Sequence, residues 1–495
     1  MTLQRGLVIG VDIGTSSSKG VLVDLDGVVL ASAARQHEPS RPRVGHVEMD
    51  AVLWWREFTE IARELTATAP GPVVAVGVSG MGPCVLVTDE ASAPLRPAIL
   101  YGVDTRASRE IELMNDEFGA EEILDRCGSM LSSQAVGPKL AWIAENEPDV
   151  WRRARRLYMP ASWLAFNLTG EYVLDHQSAS QSTPLYDTTA LDWHLPWADR
   201  VRGGIDLPRL AWSGDVAGHV TKEAADATGL TPGTPVIVGT IDAWSEAVSV
   251  DAQNPGDLML MYGTTLFMVN TSAVRSTHPA LWGTVGAFEG TFNFAAGMAT
   301  SGAITSWLKG LFGDVDYPTL LAEAAASPPG ANGLLMLPYF AGERTPINDP
   351  DARGVIVGLT LDHTRGDLYR AALEATAFGI RHNVEQMRAA GATIDRIAAV
   401  GGGTQGGLWT QIVSDVTGLD QQIAMTTIGA SYGAGYLASR LVADTSIAAW
   451  NPARHTVRPD PATRALNEAL FASYLQLYPQ TRDTAHELAA LQRSS

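Results

Sequence analysis

The residues best suited to chemistry stand at the start of the chain, in Gly10-Val11-Asp12-Ile13-Gly14-Thr15-Ser16-Ser17-Ser18-Lys19. An apolar run, Leu7 to Ile9, leads in, and Val21-Leu22-Val23-Asp24 leads out. The pattern predicts strand, tight turn, strand. Glycine lets the backbone approach a ligand, and consecutive amides and hydroxyls offer donors to phosphate oxygens. A carboxylate at the strand end, Asp12, can hold Mg²⁺ through water. Thr15, Ser16, Ser17 and Lys19 are therefore candidate phosphate-binding residues, and Asp12 a candidate metal organiser. The alternative is a plain turn with satisfied hydroxyls. The spacing of a Walker A loop is absent.

A near copy lies half a chain away. Gly256 to Asn270 runs as an apolar strand into Gly263-Thr264-Thr265 and out as a second strand. Two such hairpins suggest two halves of related fold, with ATP touching one hairpin of each.

Three further constellations carry chemistry. In Val238-Gly239-Thr240-Ile241-Asp242-Ala243, a carboxylate follows an apolar strand end, where α/β folds place ligands. Asp242 could accept the proton of a hydroxyl in phosphoryl transfer, which otherwise depends on positioning and charge stabilisation. The competing role is the N-cap of a helix beginning near Ala243. Val400 to Trp409 is a strand end followed by a glycine-rich turn opening a helix. It could hold a dinucleotide, lie flat against an adenosine, or simply pack helix on strand. Finally, Met81-Gly82-Pro83-Cys84 and Tyr101-Gly102-Val103-Asp104-Thr105-Arg106 combine an acceptor with a fork of donors suited to sugar hydroxyls, unless Asp104 and Arg106 form only a surface ion pair.

Positioning these groups takes a large scaffold. The chain's 495 residues exceed one ordinary core, so two domains are expected, with the change near Ser249 to Pro255: residues 1–250 and 251–495. An apolar content of 46% argues against disorder. With 54 acidic against 35 basic residues the net charge is −19, which argues against a nucleic-acid partner. The one basic cluster, Arg152, Arg153, Arg155 and Arg156, fits a solvated helix face. Two cysteines imply no disulfide framework and suit a reducing cytoplasm, and Met1 to Arg5 lacks a signal-peptide core. The uncharged runs Leu258 to Val274 and Gln421 to Ser439 are too interrupted for membrane spans and predict buried strand and helix.

Hydrophobic spacing predicts helices over 50–66, 138–145, 150–157, 161–168, 221–228, 302–311, 366–390 and 408–417. Strands are expected over 73–78, 236–239 and 397–400, and a cleft-lining loop over 175–197.

Taken together these segments resemble the FGGY carbohydrate kinases over nearly the whole chain. Gly45-His46-Val47-Glu48-Met49-Asp50 with Trp54-Trp55 resembles that family's Gly-x-x-Glu-x-Asp…Trp-Trp segment. Leu168-Thr169-Gly170-Glu171 with Ser178-Ala179-Ser180, Gly401-Gly402-Gly403 with Trp409-Thr410-Gln411-Ile412, Asp415-Val416-Thr417-Gly418 and Tyr474 to Pro479 extend the likeness. The resemblance implies an α/β protein of two actin-like (ribonuclease H-like) ATPase domains with ATP and Mg²⁺ in a central cleft. It implies phosphate contacts from Thr15, Ser16, Ser17, Lys19, Gly263 and Thr264, and nucleotide contacts from Gly302, Gly402, Gly403 and Gly407. Asp12 matches the metal organiser and Asp242 the catalytic base; Met81, Gly82, Asp104, Arg106 and Asp242 fall on the acceptor side. Met81 and Trp54-Trp55 are most similar to the xylulokinase-like branch. Gly82 stands where that branch usually has His, Ala243 where it is often polar, and Pro160-Ala161-Ser162 where relatives show Pro-Lys-Asp. The implied activity is ATP-dependent phosphorylation of a pentulose, aldonate or small polyol, with a homodimer left open. A non-catalytic sugar or nucleotide sensor and an actin-like ATPase are the alternatives on this fold.

Overall fold

A computed structural model describes residues 6–494. The chain forms two compact units. The first comprises Met1–Gln253, Ala273–Asn293 and Ile428–Pro452; the second comprises Asn254–Ser272, Phe294–Thr427 and Ala453–Ser495.

The first unit is built on a mixed sheet. Its strands run, in spatial order, Val216–His219, Pro235–Ile237, Val73–Gly80, Leu7–Ile13, Ser17–Asp24 and Val29–Gln36. Leu7–Ile13 is antiparallel to Ser17–Asp24, with Asp12 opposite Lys19, and parallel to Val73–Gly80, with Asp12 opposite Ser79. The short strand Thr240–Ile241 joins the other edge of Val73–Gly80, with Thr240 opposite Ser79. Every residue of Leu7–Ile13 is buried, as expected for a strand covered on both faces.

The helix Ala51–Thr68 covers one face. Asp50 caps it by accepting from the Val52 N–H, and Trp54, Phe58, Ile61 and Leu65 pack with Ile9, Val11, Val78 and Leu164. The helix Ala430–Ser439 covers the other face, where Tyr432, Tyr436 and Leu437 join Val8, Val21, Ala75 and Ile237. It lies on the strands backbone to backbone. A Cβ on Gly10 would stand 2.0 Å from the Ser431 carbonyl oxygen, and one on Gly77 2.0 Å from that of Ala434.

The second unit repeats the central plan. Gly256–Tyr262 is antiparallel to Leu266–Ser272 and parallel to Ile394–Val400, followed by Gln421–Ala424 and Ala453–Val457, with Phe292–Met298 on the far side of Leu266–Ser272. The long helix Arg365–Ala389 opens with a capping box in which Thr364 and Asp367 satisfy each other's backbone N–H groups. The Tyr339 and Tyr474 hydroxyls meet at 2.8 Å, pinning the C-terminal helix Arg464–Ser494 within this unit.

The expected helices and strands are present, with two corrections. The helix expected over 150–157 ends at Arg153, and Arg156–Tyr158 is a strand paired with Leu86–Thr88. Segment 175–197 is not a plain loop: it holds the helix His176–Ser180, the paired strands Tyr186–Asp187 and Asp192–Trp193, and the start of the helix Leu195–Val201. Asp175 caps the first of these by accepting from the Ser178 N–H, while Thr188 and Ser180 bond to Arg126 and Val285 outside the segment. The uncharged runs resolve into strands and one buried helix, and among the described residues no helix is long and apolar enough to cross a membrane.

Candidate active site

In the first unit, two neighbours of the same central strand deliver the two candidate acids. Asp12 ends the buried strand on one side of Val73–Gly80, and the Ser79 hydroxyl on that central strand donates to Asp12 Oδ1 at 2.9 Å. Thr240–Ile241, on the other side, hands over to the helix Asp242–Ser249. Asp242 is the first residue of that helix rather than its cap: Ile241 takes the cap position, and Asp242 Oδ1 accepts from the Ala243 N–H at 2.7 Å. Burial raises both carboxyls above the usual range, and Asp242 raises Asp12 further by like charge. Glu246, one helical turn after Asp242, is pushed up to about 7 by burial and by Asp242, with Lys19 acting in the opposite direction. The sequence reading did not single it out, although an i, i+4 spacing from Asp242 signals a shared face.

The first hairpin leaves two polar side chains open to solvent. Gly14 closes the turn by donating to the Ser17 carbonyl at 3.1 Å, and Ser16 and Lys19 are exposed. Thr15 Oγ1 meets the Tyr101 hydroxyl at 2.9 Å. Beneath the turn, Ser18 donates to Glu57 at 2.6 Å, while His37 bridges Glu57 and the Gly14 carbonyl, each at 2.9 Å. This buried relay, unforeseen from sequence, holds the hairpin from below.

The candidate acceptor residues lie against these elements. The Met81 N–H donates to the Ile13 carbonyl at 2.7 Å, tying it to the end of the Asp12 strand. Gly82 sits against Ile241, beside Asp242: an added Cβ would be 2.7 Å from the Ile241 side chain. Asp104 and Arg106 form a buried pair, not a surface one, with Arg106 Nη2 donating to Asp104 Oδ2 at 2.7 Å. Arg106 Nη1 reaches Glu48 at 2.7 Å, and the Val47 N–H donates to Asp104 at 2.6 Å. The guanidinium lies 4.8 Å over the Trp142 ring. The segment Gly45 to Asp50 thus supplies the partners that fix Asp104 and Arg106.

The second unit gathers its own candidates. The Gly302 N–H donates to the Gly263 carbonyl at 3.0 Å, and the Ser301 and Ala303 N–H groups donate to the Thr264 carbonyl. A Cβ on Gly302 would stand 2.7 Å from the Gly263 oxygen, so glycine is what seats this helix start on the hairpin. Thr264 and Thr265 remain exposed. In the glycine turn, Gly401 has φ +91° and a would-be Cβ 2.4 Å from the Tyr262 oxygen, and a Cβ on Gly403 would press on Trp409 and Tyr262 at 2.8 Å. Packing therefore accounts for those two. Gly402 and Gly407 have open space where a Cβ would go, so packing does not account for them.

Among the described residues, no three His, Cys, Asp or Glu groups are arranged to hold a metal ion directly. The donor set fits a cation bound through water: the charge of Asp242 raises the proton affinity of the buried Asp12 carboxylate, a tension that a divalent cation relieves.

Comparison with known proteins places the chain among the ATP-dependent sugar kinases. The chain belongs to the FGGY family of carbohydrate kinases, whose N-terminal domain model matches residues 7–249 and whose C-terminal domain model matches residues 258–442. Xylulose kinase of Escherichia coli K12 is 29% identical over 441 residues, 87% of this chain and 89% of that protein. Glycerol kinase of Nocardia farcinica is 31% identical over 458 residues, 87% of this chain and 90% of its own. The crystal structure of xylulose kinase from Rhodospirillum rubrum superposes with a TM-score of 0.91 at 32% identity, covering 97% of this chain and all of that one. The expectations of a two-domain actin-like fold and of sugar kinase activity are met.

Proposed function

We propose that this kinase phosphorylates a terminal hydroxyl of a pentulose, with xylulose the leading acceptor, using ATP and Mg²⁺. The observation that carries the proposal is the convergence of Asp242, Asp12 and Gly82 around the end of one central strand. Asp242 accepts the proton of the acceptor hydroxyl as that oxygen attacks the γ-phosphorus. The bond to the bridging oxygen of the leaving ADP breaks in line. Asp12 is the residue that would hold Mg²⁺, which supplies charge compensation to the phosphate oxygens when bound. In the first unit Thr15, Ser16, Ser17 and Lys19 are the proposed phosphate donors; in the second, Gly263 and Thr264 are proposed as phosphate contacts and Gly302, Gly402, Gly403 and Gly407 as nucleotide contacts. Similarity to xylulose kinases over most of the chain supports the acceptor class.

The test is a coupled ADP-release assay across ketopentoses, hexuloses, aldonates and polyols. A highest kcat/KM for a ketopentose is expected. ATP turnover that ignores the acceptor, or a clear preference for another acceptor class, would overturn the reading.

A further inference from the structure

Lys139 is 1% exposed, and its Nζ has no hydrogen-bond partner among the described residues. A buried ammonium without acceptors is costly, and such groups are retained where something else supplies the acceptors. Burial lowers this ammonium to about 8, with Cys84 and Asp104 acting to raise it and Arg106 to lower it.

Its position is set by the backbone around it. Lys139 lies on the helix Val136–Asn146, one turn before Trp142, the ring beneath the Arg106 guanidinium. The segment leading into that helix clasps Gly102 from both sides: Gln134 Oε1 accepts from the Gly102 N–H at 3.0 Å, and Ser133 donates to the Gly102 carbonyl at 2.9 Å. Lys139 is thereby held beside Tyr101 to Arg106, whose Tyr101 reaches Thr15 in the phosphate hairpin. Cys84, in the segment begun by Met81 and Gly82, acts on this ammonium, and the charge of Asp242 acts on that same thiol. Lys139 is thus within electrostatic reach of Cys84 and Asp104, and Cys84 within that of Asp242.

The neighbouring charges are already matched. Asp104 is held by Arg106, and Arg106 also by Glu48. Asp104, the carboxylate whose charge acts on Lys139, is thus already taken, and among the described residues the ammonium lacks an oxygen acceptor.

We infer that Lys139 is an acceptor-binding residue whose ammonium donates to hydroxyl or carbonyl oxygens of an uncharged sugar in the pocket served by Asp242. The inference rests on the acceptor side of the proposed function and adds a specificity determinant to it. Binding of the sugar supplies the missing hydrogen bonds, so selectivity against an acceptor lacking those oxygens arises from leaving a buried cation unpaired.

Lys139→Met keeps the length of the side chain and removes the charge; Lys139→Gln keeps a donor. Steady-state kinetics on the full chain, with acceptor and ATP varied separately, are the test. Lys139→Met is expected to raise the acceptor KM about tenfold to a hundredfold. Its ATP KM should stay within about twofold and its melting temperature should not fall, because removing a buried unpaired charge does not destabilise. Lys139→Gln should recover part of the acceptor affinity. An unchanged acceptor KM in active Lys139→Met overturns this inference alone. A wild-type enzyme that uses no uncharged sugar, or prefers aldonates, overturns it together with the proposed acceptor class.

Discussion

Replacing Gly10 with Ala tests how tightly the helix Ala430–Ser439 is seated on the strand that carries Asp12. The new methyl group would lie 2.0 Å from the Ser431 oxygen and 2.5 Å from the Gly435 nitrogen, where real contacts essentially never fall below 3.0 Å. Both obstacles are backbone atoms, so no rotamer change relieves them. The helix must lift by about an ångström, which forfeits a quarter to a half of each contact across the gap. One large side chain on that face, Leu437 or Tyr432, makes roughly 50 contacts of about 0.15 kcal/mol each, so its loss alone is about 2–4 kcal/mol. Costs of overpacking in cores reach about 3 kcal/mol, in agreement. At 1.4 kcal/mol per decade, local opening becomes about 150-fold more populated. Native-state hydrogen exchange of peptides covering 430–439 and 7–13 reads this directly. Gly310→Ala is the control: it lies in the helix Gly302–Leu311 with open space around the added methyl, and should be neutral or stabilising. Protection in Gly10→Ala within about 0.5 kcal/mol of wild type would refute the argument from close backbone approach.

Asp242→Asn removes the proton acceptor and should lower kcat by about 10²–10⁴-fold with ATP affinity retained; near-normal turnover would end its assignment as base. Gly402→Ala should leave thermal stability unchanged, since its Cβ meets nothing within 4 Å, while raising the KM for ATP; an unchanged KM would remove Gly402 from the nucleotide site. Burial raises Glu343 to about 8, against the usual 4.5 of an unfolded chain, so the folded state holds a proton that the unfolded state releases as pH rises between those values. Stability due to this group therefore falls with rising pH, at up to about 1.4 kcal/mol per unit. Glu343→Gln, measured by urea denaturation from pH 5.5 to 7.5, should abolish that slope; an identical slope in the variant would count against it.

The two hairpins and the strand carrying Asp12 were legible because local pattern decides them: apolar runs on either side of Gly, Thr and Ser can do little else. The approach of Asp242 was readable only as a strand end. That Asp12 and Asp242 flank one strand depends on register between segments far apart in sequence, set by Ser79 lying opposite both Asp12 and Thr240. The glycine turn divided in a way no sequence pattern could specify, because Tyr262 and Trp409, which crowd Gly401 and Gly403, come from a neighbouring strand and a following helix. The helix written over 150–157 failed for a similar reason. Its second half pairs with Leu86–Thr88, and tertiary pairing outweighs propensity there.

The helix Ala430–Ser439 belongs to the first unit yet is encoded after most of the second. During synthesis at about 5–20 residues per second, the strands bearing Gly10 and Gly77 must wait some tens of seconds with one apolar face uncovered. A nascent chain arrested before residue 430 would thus present Val8, Val21, Ala75 and Ile237 to the surrounding medium, a surface for chaperones to hold. Maturation of the part of the molecule that carries Asp12 and Asp242 is in this way timed by the synthesis of residues 430–439.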